Sequence, residues 1–259
     1  MPKITLSARK DINANAAMYY EEAKRAHSKA DGARKSIVDT ERRIADLEAR
    51  IAEKRAQLEE KKQNIKIRRE KQWFEKFHHF TTSDGILVIA GNDAKQNELL
   101  VARHLEPSDL FMHADIHGAP ATIIKNGQDA PESSLLEAAQ FSASYSSAWK
   151  GGLSSVDVYA VKPEQVSKHS HGESVPKGGF MIKGEKKYFR SVKLGLKIGM
   201  RDSIPVAEPE MKNSGDLALL LHAGGKKEKG DLAKELAKKL GCEVDELLQL
   251  LPSGNGLIA

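Results

Sequence analysis

Residues 111–126 read FMHADIHGAPATIIKN, and the rest of the chain is best understood outward from them. Apolar and polar residues alternate from Leu110, which predicts a strand over 110–116. Gly118 and Pro120 then redirect the chain, and the run after them predicts a second strand over 121–125. The first strand carries His113, Asp115 and His117. Alternate side chains of a strand share a face, so all three would point one way. At ~3.3 Å per residue the two outer histidines lie ~13 Å apart, too far for one metal with ligands ~2 Å away. A metal would need Asp115, one histidine and a distant ligand such as His169 or His171, and no spacing here matches an established metal motif. No metal and no cofactor is expected. Asp115 and His117 remain open to three readings: a general acid/base couple, a polar pair satisfied by backbone at a strand end, or an RNA-facing pair. No nucleophile partner is visible, so an enzyme is not the expectation.

The surroundings are α/β in texture. Strands are predicted over 86–90, 156–161, 180–183 and 188–198, and helices over 94–104 and 133–149, the latter with Ser133 or Ser134 as cap. Short connections and more strands than helices give an α+β class or a mixed sheet. WFEKFHHF, residues 73–80, sets four large aromatics where a rod would meet this body.

That rod is residues 12–72, rich in Ala, Lys, Glu and Arg and without proline. Ile37, Ile44, Ile51, Leu58 and Ile65 recur every seventh residue, the seam of a coiled coil, with Ala33, Thr40 and Leu47 on the complementary positions. Lys54 and Lys61 weaken the seam toward its far end. The partner helix is either the Ala-rich arm folded back at Asp31-Gly32 or another chain, a homodimer included. After Met200 the sequence predicts a linker with Pro205 and Pro209, then a helix over 231–240 ended by Gly241, a second helix over 243–251 and a loose tail. The expected order is therefore a coiled coil (1–72), a globular domain (73–200), a linker (201–230) and a small helical module (231–259).

Composition limits the function. Lys and Arg total 41 against 36 acids, a mildly basic balance of +5 in 259 residues. The single Cys242 excludes an internal disulfide and a cysteine-based zinc cluster. No apolar run is long enough for a membrane span and no leader pattern opens the chain, so a cytoplasmic protein without a membrane partner is expected. Basic residues cluster in two places. Lys61, Lys62, Lys66, Arg68, Arg69, Lys71 and Lys76 surround Trp73 and Phe74, while Lys183, Lys186, Lys187, Arg190, Lys193 and Lys197 interleave with Tyr188 and Phe189. Basic side chains bind phosphate and accessible aromatics stack on bases, so nucleic acid is the expected ligand. The candidate nucleic-acid contacts are Lys66, Arg68, Arg69, Lys71, Trp73, Lys76, His113, Asp115, His117, Lys125, Lys183, Lys186, Lys187 and Arg190. Gly178-Gly179 and Lys183-Gly184 match neither a Walker nor a dinucleotide loop.

Several segments together carry a resemblance. KQWFEKFHHFTTSDGILVIAGNDAKQNELLVARHLEPSDLFMHADIHGAPATIIKN, EAAQFSASYSSAWK, VKPEQVSK and GGFMIKGEKKYFR resemble, in order and spacing, the NFACT-R domain of the NFACT family. NANAAMYYEEAKRAHSKA resembles the coiled-coil region that precedes it. The resemblance spans roughly residues 6–200. It implies a ribosome-quality-control factor of the NEMF and RqcH type, binding RNA (rRNA or tRNA) on obstructed large ribosomal subunits. It also maps the family's Asp-x-His feature onto Asp115 and His117. The chain begins inside the coiled-coil region, without the family's N-terminal NFACT domain, so a complete tail-elongating factor is not expected. Two alternatives are an RNA-modification enzyme using Asp115 and His117, and a coiled-coil adaptor without RNA activity.

Overall fold

The computed structural model describes residues 4–63, 72–168, 177–213, 215, 217 and 219–259, with the side chains of 56–63 outside that description. The chain forms two compact units, residues 1–70 and 71–259.

The first unit is one helix, α1 (Ile12–Gln63), with a short segment before it. Asp11 caps it, accepting from the Ala14 N–H at 2.6 Å. Asn15 donates to the Ser7, Lys10 and Asp11 carbonyls, and the Tyr19 hydroxyl donates to the Thr5 carbonyl at 2.7 Å. At 1.5 Å per residue the helix is ~78 Å long. It runs unbroken through Asp31-Gly32, so the fold-back turn does not form there. The described part of the heptad stripe is uncovered: Ile37, Ile44, Leu47 and Ile51 are 57, 50, 57 and 50% exposed, while the Leu58 side chain and Ile65 lie outside the described residues.

The second unit is α+β, and every strand pairing among the described residues is antiparallel. Its elements are β1 (His78–Thr81), β2 (Leu87–Ala90), α2 (Ala94–His104), β3 (Leu110–Ala114), β4 (Thr122–Ile124), α3 (Glu132–Ser144), α4 (Ser147–Lys150) and β5 (Ser155–Val161). Then follow β6 (Val166–Ser167), β7 (Met181–Ile182), β8 (Lys187–Lys193), β9 (Leu196–Arg201), β10 (Ile204–Pro209) and β11 (Leu219–Lys227). The chain ends in α5 (Lys229–Leu240), α6 (Val244–Leu250) and β12 (Gly256–Ile258). A six-stranded sheet has the order β1-β2-β4-β3-β5-β8, and a four-stranded sheet the order β10-β9-β11-β12.

The alternation of side chains gives the larger sheet two unlike faces. Met112, Ala114, Val158, Ala160 and Phe189 pack with Leu135, Ala138, Ala139 and Phe141 of α3 in the main core. Ile89 and Ile123 meet Leu100 of α2 and Phe77 on the other face, and Phe111, Tyr159 and Val161 meet Val101, Leu105, Phe180 and Ile182.

The structure departs from the sequence expectations where tertiary contacts decide. The helix expected over 133–149 starts at Glu132 and breaks at Tyr145, because Ser146 caps a new turn by accepting from the Ala148 N–H. Ser133 and Ser134 cap nothing; their hydroxyls donate to Asp84 at 2.9 and 2.6 Å. The strand expected over 188–198 is two strands, because Leu194 and Gly195 carry the chain from one sheet to the other. A Cβ at Gly195 would meet the Glu210 carboxylate. The linker expected over 201–230 instead supplies β10 and β11, whose proline-bearing β10 lies at a sheet edge. The C-terminal helices are present, but Leu232, Ala233, Leu236, Leu247 and Leu251 sit in the main core, and the expected loose tail pairs with β11 as β12. β1 was hidden among the aromatics of the 73–80 stretch.

Candidate nucleic-acid interface

Three cross-strand neighbours build the site. His113 of β3 faces Tyr159 of β5, and Tyr159 faces Tyr188 of β8. β8 is an edge strand, so on the face opposite α3 Tyr188 is exposed, while Tyr159 is buried beside Phe180 and Ile182. Tyr159 and Tyr188 meet edge to face with centroids 6.0 Å apart. A cation lies over each ring: Lys186 Nζ is 4.0 Å from the Tyr159 centroid and Arg190 Cζ 4.0 Å from that of Tyr188.

Local backbone places these cations. Residues 183–186 form a turn with Gly184 at φ 84°, pinned by Gln165, whose amide donates to the Lys183 and Glu185 carbonyls at 2.9 and 2.7 Å. The β5–β8 register shifts between Val156 and Val158, and Ser191 takes a left-handed φ of 50°. Asp157 fills the irregularity. It accepts from the Ser191 N–H at 2.7 Å and from Arg190 Nη1 at 2.6 Å, which holds its carboxyl below the usual carboxylate range.

The predicted residues separate accordingly. Lys186 and Arg190 join the open face with exposed Lys183 nearby. Lys187 points the other way, over Phe189 and 2.6 Å from Glu132. His113 is half-buried, and burial lowers its pKa. Its strand stops at Ala114, four residues short of Gly118, so His113, Asp115 and His117 do not share a strand face. Asp115 is exposed, and its N–H donates to the Asp157 carbonyl at 2.7 Å. His117 is exposed in the turn, its carbonyl accepting from Ser147. Among the described residues no hydrogen bond joins Asp115 to His117, which leaves the acid/base couple without its geometry. Lys125 is consumed internally: Nζ lies 2.7 Å from Asp109, 2.9 Å from Glu106 and 3.2 Å from the His104 carbonyl. Lys66, Arg68, Arg69 and Lys71, like His169 and His171, lie outside the described residues.

A second basic-aromatic patch lies at the opposite end of the sheet. Trp73, 41% exposed, stacks on His104 at 4.0 Å and 13°, and Lys76 lies 5.0 Å from the Phe77 centroid. The His104 pKa is lowered by burial and then by Lys76, Lys125 and Arg103, a sign of positive local potential. Sequence reasoning missed Tyr159 and Asp157. Their signal was the alternation in SVDVYAV, which sets both on one face, but nothing local says that β8 lies beside them.

An aromatic sheet face rimmed by Lys and Arg defines the class of nucleic-acid-binding surfaces. Residues 76–184 match the family model described as the NFACT protein RNA binding domain. The chain is 41% identical over 199 residues to the archaeal Rqc2 homolog aRqcH of Methanocaldococcus jannaschii, a match covering 73% of this chain and 30% of that protein. It is 37% identical to the ribosome quality control complex subunit NEMF homolog of Drosophila melanogaster (72% and 19% covered) and 35% identical to human NEMF (68% and 16%). The chain belongs to the NFACT family. It spans less than a third of the length of these relatives.

Proposed function

We propose that this chain is an RNA-binding, ribosome-associated factor of ribosome quality control, contacting rRNA of the large subunit or tRNA on stalled nascent-chain complexes in the cytoplasm. The exposed Tyr188 ring at the sheet edge with Arg190 over it, beside the buried Tyr159 with Lys186 over it, carries the reading. The RNA binding domain description and the names of the relatives support it. The reading is one of binding, in keeping with relatives named as ribosome quality control factors. Among the described residues no helix is long and apolar enough to cross a membrane. Sedimentation through a gradient after induced stalling tests the reading. The protein is expected in the large-subunit fraction, and its confinement to the top of the gradient would refute it.

The uncovered stripe on α1 favours a second contact, a helical partner for the coil. Leu47 and the isoleucines around it would be buried there, by a second copy of the chain or by another helix.

A further inference from the structure

The two cations of the open face occupy the positions that nucleobases would take. Lys186 sits at 4.0 Å over Tyr159 and Arg190 at 4.0 Å over Tyr188, each at stacking distance from a ring. Beneath Lys186, Tyr159 is only 7% exposed, while Tyr188 is 36% exposed. We propose that Tyr159 and Tyr188 are two stacking platforms for unpaired bases of single-stranded RNA, masked in the free protein by Lys186 and Arg190. This rests on the RNA-binding reading above and adds the class of RNA and the atoms that meet it.

Geometry and charge select the ligand. The rings stand at 63° with centroids 6.0 Å apart, so they cannot sandwich one base, and each serves its own nucleotide. Stacking on a ring needs a base whose π face is free, and in a duplex those faces are covered by neighbouring pairs. Among the described residues β8 has no strand on its outer side in this sheet, which leaves its edge to a flexible strand. Neither masking cation is buried in the core. Lys186 extends from the Gly184 turn, and the Arg190–Asp157 pair is solvent-exposed, 66 and 33% at the two side chains. A base that displaces the cation keeps the ring covered, and the freed cation reaches the phosphate of the same strand. Asp115 and Asp157 keep one end of the face negative, which directs the phosphates toward Lys183 and Lys186. Asp157 therefore acts as a positioning residue, holding Arg190 over Tyr188 until RNA competes for it.

The test uses the full chain and a short labelled RNA of mixed sequence, read by fluorescence anisotropy as the single strand and again annealed to its complement. Wild type is expected to bind the single strand more tightly. Tyr188→Ala is expected to lose about tenfold on the single strand and nothing on the duplex, while Tyr188→Phe binds as wild type. Equal binding of both RNAs, with Tyr188→Ala unchanged, would overturn the stacking proposal and leave RNA binding standing. No binding of either RNA by wild type would overturn both. A denaturation midpoint for each variant shows whether the fold is kept; if Tyr188→Ala unfolds, failure of Tyr188→Phe to match wild type overturns the proposal in its place.

Discussion

Replacing Lys125 by methionine separates a structural lysine from an RNA-binding one. Lys125 lies 2.7 Å from Asp109, a carboxylate with no exposed side-chain surface, while Lys125 itself is 18% exposed. Breaking such a buried pair costs roughly 3–5 kcal/mol, because the surviving charge stays in a poor dielectric. One thing lowers the figure here, and a second adds little to it. Asp109 keeps backbone N–H donors from Glu106 at 2.8 Å and Asn126 at 2.9 Å. The Glu106 contact, 65% exposed at the carboxylate, adds ~1 kcal/mol at most. A loss of about 3 kcal/mol follows, which at a urea m-value of about 2 kcal/mol/M moves the midpoint down by about 1.5 M. RNA affinity measured below the transition should not change. An unmoved midpoint together with a tenfold loss of RNA affinity would instead place Lys125 at the interface.

Three further outcomes follow from the same structure. His78 stacks on Tyr145 with centroids 4.0 Å apart, and burial, with Lys229 and His79 nearby, lowers its pKa to about 3. The unfolded chain takes up that proton first, so its contribution is intact above ~6.5 and is lost as pH falls toward 3; lowering pH to 5 should cost at most about 2 kcal/mol, a slope that urea melts should find flattened in His78→Asn, and an unchanged slope contradicts the assignment. A Cβ at Gly225 would run into the Gly256 carbonyl, backbone that cannot yield, so Gly225→Ala should cost about 1–3 kcal/mol and expose the β12 end to carboxypeptidase, whereas Gly215→Ala, which meets open space, should do neither. The stripe of α1 should make the melting of a peptide of residues 1–70 concentration-dependent by circular dichroism, and Ile44→Lys with Ile51→Lys should abolish that dependence; melting independent of concentration in the unmodified peptide counts against a coil partner of its own kind.

Much of the fold was written in local pattern. The 94–104 helix, the strands at 86–90 and 156–161 and the Gly241 stop with its φ of 68° were readable because their signals lie within a few residues. β10 and β12 were not, because Pro205, Pro209 and Pro252 read as breakers, and only the partners β9 and β11 make those segments strands. Of the site, Lys186 and Arg190 were legible as a basic-aromatic run. Their separation from Lys187 followed from strand alternation once β8 was known to start at Lys187. Tyr159 and Asp157 were hidden because β5 pairs with β8 across residues 162–186, beyond the reach of any local signal. His113, Asp115 and His117 look collinear in sequence, yet the strand ends between the first and second of them.

Ultraviolet crosslinking of the full chain to RNA in cells, with residue-level mapping of the nucleotide adducts by mass spectrometry, tests the central claim most directly. Adducts are expected on Tyr188 and Tyr159, with Trp73 as a second cluster. Adducts confined to Lys187 and the α3 side of the sheet, with none on Tyr188, Tyr159 or Trp73, would contradict it.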